Sequence, residues 1–254
     1  MKLTLMRHIT AFLFVFVSQF GTGTSVLIVR TEDNSIYIAA DALQLETATG
    51  NRPKICKVQK LGKNSYWAAA TKFYKTNAGF GLEEIVASIG PEGTIDSKMT
   101  RFERAIVTPL ESQIRLLGFT DPKEYASYLE QEPARKITPL EIAFVGFENG
   151  KARWAVTRFY VHKVNGAIAL FPRRDARARS GYTGAVGLGH SRISVDYVIR
   201  DLKRFYSNET KTMVEALEKV AAFDRHETVD GPYSVLRIDT NGPTWEQHGE
   251  CLGD

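Results

Sequence analysis

The chain has 254 residues, 43% of them hydrophobic and 24% charged, with 33 basic against 29 acidic side chains and a net charge of +4. The apolar share suffices for a core and the length suits one large domain, while the well-mixed charge argues against a nucleic-acid partner. Two cysteines, Cys56 and Cys251, are too few for a disulfide scaffold, and the favoured reading is a buried small residue plus a free tail thiol.

Residues 1–23 read as a secretory signal peptide. Lys2 and Arg7 give a positive start, Ile9 to Val17 is apolar, and Gly21 and Gly23 are small residues before a cut. The apolar run is shorter than the roughly 20 residues a membrane span needs. A cut after Gly23 would make the protein secreted or periplasmic. Cuts after Ser18 or Thr22 are alternatives, as is an uncleaved leader that anchors the chain in a membrane.

The next stretch organises the rest. Thr24 opens a β-branched run through Val29, the polar 31–35 segment turns, and Ile36 to Ala40 returns to end on Asp41. Lys54 then begins Ile55-Cys56-Lys57-Val58, and a second hairpin runs from Ile55–Leu61 to Tyr66–Ala70 around Gly62-Lys63-Asn64. Helical spacing predicts a helix over about 75–89 and another over about 98–117. Residues 121–136, with Pro122 and Pro133, read as a surface insertion.

Leu140–Phe147 and Ala152–Tyr160 form a hairpin around Glu148-Asn149-Gly150, followed by a short strand near Ala167–Phe171 and a solvated arginine-rich loop from Arg173 to Arg179. Ala185 to Gly189 leads into a helix whose stripe is Val195, Val198, Ile199, Leu202, Phe205 and Tyr206. Thr212 with Glu215 reads as a capping box before a helix faced by Met213, Leu217 and Val220. Tyr233–Ile238 and Trp245–His248 close the chain as strands around Thr240-Asn241-Gly242. Strands, two helices, strands, two helices, strands: this α+β order suits stacked antiparallel sheets with helices outside them.

Gly23-Thr24, Ala39-Ala40-Asp41 and Lys54-Ile55 together resemble the start of a proteasome β-subunit, in the N-terminal-nucleophile (Ntn) hydrolase superfamily. In that family Gly-Thr opens a strand, Ala-Ala-Asp closes the next, and Lys-Ile/Val starts the following one. The resemblance implies a four-layer αββα sandwich over residues 24–254, with helix pairs outside two stacked sheets. It implies that Thr24, freed at its amine, is the nucleophile and that its own amine is the base. Asp41 would hold Lys54 charged beside it. Glu227 and Asp230, in the turn after the last long helix, would take the places of the family's acid and serine. Backbone amides near Ala70 or Thr71 would hold the oxyanion. The pattern departs at Gly187-Leu188-Gly189, where the family has Gly-Ser-Gly, and at Leu43, where an arginine is usual.

The implied function is an exported threonine-type peptidase or amidohydrolase acting on peptides or small amides. It would have no cofactor or metal and could form a ring of like subunits. Export would leave it without an ATP-dependent unfoldase. The alternative is a catalytically inactive scaffold or binding protein of the same family. The five histidines show no metal spacing, and no Gly-x-Ser-x-Gly elbow or phosphate loop is present.

Overall fold

A computed structural model describes residues 24–43, 54–73, 80–129, 137–175, 184–189, 192–225 and 228–251. The leader, Glu227, and the greater part of the arginine-rich loop lie outside the described residues.

The first sheet begins with the hairpin read from the sequence, β1 (Ser25–Arg30) and β2 (Ile36–Ala40). Asn34, with φ 68°, makes the turn, and asparagine tolerates that left-handed conformation better than most residues. The hairpin of the second sheet is β3 (Val58–Gly62) with β4 (Ser65–Thr71). Then come α1 (Leu82–Ser88), α2 (Ile95–Thr120) and α3 (Pro122–Tyr128). The second sheet is completed by β5 (Leu140–Glu148), β6 (Lys151–Val164) and β7 (Ala167–Arg174). The chain returns to the first sheet with β8 (Gly184–Gly189), then forms α4 (Arg192–Arg200), α5 (Leu202–Ser207) and α6 (Glu209–Phe223). The strands β9 (Ser234–Asp239) and β10 (Gly242–Gln247) finish it. The sheet orders are β10-β9-β2-β1-β8 and β3-β4-β5-β6-β7, and every pairing is antiparallel.

Strand alternation sorts the core. Val26, Ile28, Ile36 and Ile38 of the first sheet meet Tyr66, Ala68, Ala143 and Val156 of the second in one buried cluster. Leu27, Val29, Ala39 and Val235, on the opposite face of the first sheet, pack on Phe205, Met213 and Leu217. Trp67, Ile142, Phe144 and Phe159 pack on Met99, Phe102, Ile106 and Leu110 of α2. Phe102 lies edge-on to both Phe144 and Phe159.

The expected four-layer αββα sandwich with flanking helix pairs is corrected. The described residues form a mixed α+β fold with slightly more strand than helix, two five-stranded antiparallel sheets and six helices, three between β4 and β5 and three between β8 and β9. Capping explains the extra helices. Asp121 accepts from the Glu124 amide and opens α3 inside the supposed surface insertion, where Tyr128 is buried. Asp201 accepts from the Arg204 amide and splits the single helix expected over Val195–Tyr206 into α4 and α5.

Other boundaries also shift. Asn208, not Thr212, caps α6, with its side chain accepting from the Lys211 amide at 2.9 Å, while Thr212 donates to the Asn208 carbonyl. Gly184–Gly189 is a paired strand in its own right. Arg173 and Arg174 belong to β7, and Arg174 is engaged by Glu103 at 2.8 Å instead of lying in a solvated loop. Cys56 and Cys251 form a disulfide, which overturns the reading of a free tail thiol.

Candidate active site

Thr24 lies immediately before β1, and its side chain is buried at 5% exposure. Even-numbered residues of β1 face the second sheet, so the chain enters with the Thr24 side chain on the side from which that sheet's first strand approaches. Asp41 follows β2, which pairs with β1 so that Val26 lies opposite Ala40. The hairpin register thus brings the carboxylate back to the threonine: Ser25 N–H donates to Asp41 Oδ1 at 2.7 Å and Asp41 N–H donates to the Ser25 carbonyl at 3.2 Å.

The third member is Lys57. Its Nζ donates to Thr24 Oγ1 at 2.9 Å and to Asp41 Oδ2 at 2.8 Å. Lys57 is 3% exposed and Asp41 1%. Lys54, predicted for this role, is exposed and pairs through its backbone with Leu43 in an isolated bridge. The signal was present in the sequence: Lys57-Val58 satisfies the Lys-Ile/Val pattern as well as Lys54-Ile55 does, and Val58 is where β3 begins. Lys57 is therefore the lysine that stands next to a strand start.

Burial sets the electrostatics. Desolvation pushes the Asp41 carboxyl above the usual carboxylate range, opposed by Lys57 and by the Ser25 and Leu43 amides. Desolvation likewise pulls the Lys57 ammonium below the usual lysine value, opposed by Asp41. The lysine therefore holds its proton less tightly than a surface lysine while lying within hydrogen-bond reach of a hydroxyl.

Asp230 reaches the site through its backbone, with its carbonyl accepting from Ala42 N–H at 3.2 Å. Its side chain accepts from the Gly231 amide at 2.9 Å. Tyr233 is buried nearby. Burial first, then Asp230, Glu218 and Asp41, push its phenol up to about 12, which keeps the hydroxyl protonated. Glu227 lies outside the described residues.

A second group of residues, of which the sequence analysis singled out only the Gly187–Gly189 stretch, braces the strand that Thr24 precedes. Gly189, opposite Ser25 in the β1–β8 ladder, has φ +66°, and a Cβ there would lie 2.0 Å from the Thr24 carbonyl oxygen and 3.1 Å from Ala70 Cβ. Only glycine permits this approach. The Gly189 amide donates to Glu141 Oε2 at 3.3 Å, and Arg158 Nε donates to the same oxygen at 3.2 Å. Arg158 also reaches Asp175 at 3.1 Å and the Gly187 carbonyl at 2.9 Å, so one guanidinium joins the two sheets beside the threonine. Leu188 is buried in the cluster between the sheets, opposite Val26.

Among the described residues no group of three or more His, Cys, Asp and Glu side chains is placed to hold a metal ion. No described helix is long and apolar enough to cross a membrane. The arrangement can do nucleophile chemistry: a hydroxyl, a cation in contact with it, and a carboxylate that fixes the cation, all shielded from water. No protein-family model matches the chain, and no curated protein matches it.

Proposed function

We propose that the protein is an exported amidohydrolase of the N-terminal-threonine type, related to the Ntn hydrolases it resembles, and that removal of residues 1–23 exposes its nucleophile. The observation that carries the reading is Lys57 Nζ, shared between Thr24 Oγ1 at 2.9 Å and Asp41 Oδ2 at 2.8 Å. A lysine is rarely buried so completely unless paired, and here its second partner is a hydroxyl.

The steps follow from the chemistry of that hydroxyl. After the cut, the Thr24 α-amine takes the Oγ1 proton as Oγ1 bonds to the amide carbonyl carbon of a peptide or small amide. The Lys57 ammonium, hydrogen-bonded to Oγ1, eases loss of its proton, and Asp41 holds that ammonium in place, while the C=O π bond opens and the negative charge passes to the former carbonyl oxygen until the C–N bond breaks. The protonated α-amine then gives its proton to the leaving nitrogen as the C–N bond breaks, leaving an ester on Thr24. Water, deprotonated by the same amine, attacks the ester, and the acid departs while Oγ1 regains its proton.

The test has two parts. N-terminal sequencing of the exported protein should find a chain starting at Thr24. Thr24→Ala should then lower hydrolysis of peptide amides by on the order of 10⁴-fold or more, as loss of a nucleophile does. An electrophile that closes a ring with both groups of an N-terminal threonine should label the cut protein and leave the precursor untouched. A mature chain that begins elsewhere, or a correctly cut chain that resists labelling at every practical pH, overturns the reading in favour of an inactive scaffold.

A further inference from the structure

Lys57 owes its place to a segment that no β-ladder holds. Residues 55–57 lie between the isolated Leu43–Lys54 bridge and the first residue of β3. Ile55 N–H donates to the Ala42 carbonyl at 2.9 Å, and the described strand pairing resumes only at Val58, opposite Ala68. One residue before Lys57 stands Cys56, bonded to Cys251 with a Cα–Cα distance of 4.6 Å across 195 residues of sequence. Cys251 is 3% exposed, and its amide donates to the His248 carbonyl at 2.7 Å. That carbonyl also accepts from Ser234 Oγ, at the start of β9.

The two cysteines flank edge strands of different sheets. Cys56 precedes β3, an edge of the second sheet, and Cys251 follows β10, an edge of the first. The ion pair beside the bond spans the same gap, since Asp41 directly follows β2 of the first sheet and Lys57 directly precedes β3 of the second. A buried lysine reaches its carboxylate only while the gap stays closed, because an opening by even one water layer would let both charges rehydrate.

We infer that the Cys56–Cys251 disulfide is a positioning element for Lys57, stapling the lysine-bearing segment across the sheet gap so that the Thr24–Lys57–Asp41 cluster assembles only in the oxidised protein. Reduction by a dithiol delivers two electrons and two protons, gives two cysteine thiols and leaves the dithiol as its own cyclic disulfide. The segment then loses its covalent tie to the first sheet and keeps non-covalent contacts, among them the Ile55 amide bond and the Lys57 side chain's bonds to Thr24 and Asp41. The inferred placement of Lys57 does not depend on the reaction proposed above; only its consequence for turnover rests on that reading.

The experiment measures the lysine directly. The full chain is treated under native conditions with an amine-acetylating ester, oxidised and after dithiothreitol, and acetylation at each lysine is followed by peptide mass spectrometry. Lys98 is the internal control, because it is also buried, at 5% exposure, and bonds Ser65 at the start of β4, at the other end of the β3–β4 hairpin. The Cys56→Ser/Cys251→Ser double variant repeats the reduced arm without reductant. The expected result is at least a tenfold rise in Lys57 acetylation in both reduced arms, with Lys98 still protected. Unchanged Lys57 protection overturns the inference. So does a parallel rise at Lys98, which would mean general loosening, or ready acetylation of Lys57 in the oxidised chain. None of these outcomes depends on hydrolysis, so failure here leaves the amidohydrolase reading standing, and failure of that reading leaves the labelling result intact.

Discussion

Replacing Lys57 by Met separates the two lysines and tests the electrostatics of the site. Methionine keeps an unbranched chain of similar length but brings no charge. Asp41 would lose its 2.8 Å ion pair and keep the Ser25 amide at 2.7 Å, with its carboxyl still buried at 1% exposure. Removing one partner of a buried pair costs about 3–5 kcal/mol, chiefly for the charge left behind. The cost depends on pH with a definite sign. Burial already raises the Asp41 carboxyl above its unfolded value, and loss of Lys57, which opposes that rise, lifts it further. A carboxyl raised on folding contributes stability below its unfolded pKa, about 3.9, and loses it as pH rises through the folded value. The difference between Lys57→Met and the parent should therefore grow from pH 4 to pH 8, by at most about 1.4 kcal/mol for each pH unit between the two folded values. On the proposed mechanism, hydrolysis at neutral pH should fall by about 10²–10³-fold, the scale for losing one preorganised donor at a reacting centre. Urea unfolding at pH 4, 6 and 8, beside peptide-amide turnover, measures both. Lys54→Met is the control and should change stability by less than about 0.5 kcal/mol, because Lys54 is exposed. If the two variants have the same stability at every pH, the Lys57–Asp41 contact carries no energy and the argument fails.

Two further substitutions probe the frame around the site. Gly189→Ala forces a side chain onto a left-handed backbone and against the Thr24 carbonyl, so urea unfolding should show a loss of about 1–3 kcal/mol from the backbone alone, and Thr24 labelling should slow; an unchanged labelling rate would show that Gly189 does not set the position of Thr24. The Cys56→Ser/Cys251→Ser variant opens a loop of 195 residues, for which chain entropy sets a limit near 5 kcal/mol, so its midpoint in denaturant should fall sharply; a loss under about 1 kcal/mol would show that the reduced chain keeps its ends together by other means.

Local patterns carried much of the fold. The β1–β2 hairpin was legible because β-branched residues fill both arms and Asn34 can take the turn's left-handed conformation. The long α2 was legible because Phe102, Ile106, Leu110 and Ile114 recur along one buried stripe. What failed depended on caps and pairing. Asp201 starts a new helix within a stretch read as one, and Asp121 starts a helix in a stretch read as a surface insertion; a single cap residue leaves periodicity almost unchanged. The strand Gly184–Gly189 escaped because three glycines in six residues lower its β signal, although the third is required for close approach to Thr24.

The site divides along the same line. Thr24 and Asp41 were legible because a hydroxyl at one strand's entrance and a carboxylate at its hairpin partner's end meet by local register alone. Lys57 was not, since two lysines three residues apart both precede an apolar residue, and only the true start of β3 separates them. Glu141, Arg158 and the disulfide were further from reach, for Glu141 meets the Gly189 amide, Arg158 the Gly187 carbonyl and Cys56 its partner only through the packing of one sheet on the other. That dependence is also why these residues belong together chemically. A carboxylate facing a buried lysine favours its charged form, and here the carboxylate and hydroxyl come from one sheet while the amine comes from the other. The contacts that hold the sheets in register, the Arg158 bridge on one side and the Cys56–Cys251 bond on the other, therefore also fix how far Lys57 Nζ stands from Thr24 Oγ1. Loosening either should show in the reactivity of Thr24 before it shows in the loss of either sheet.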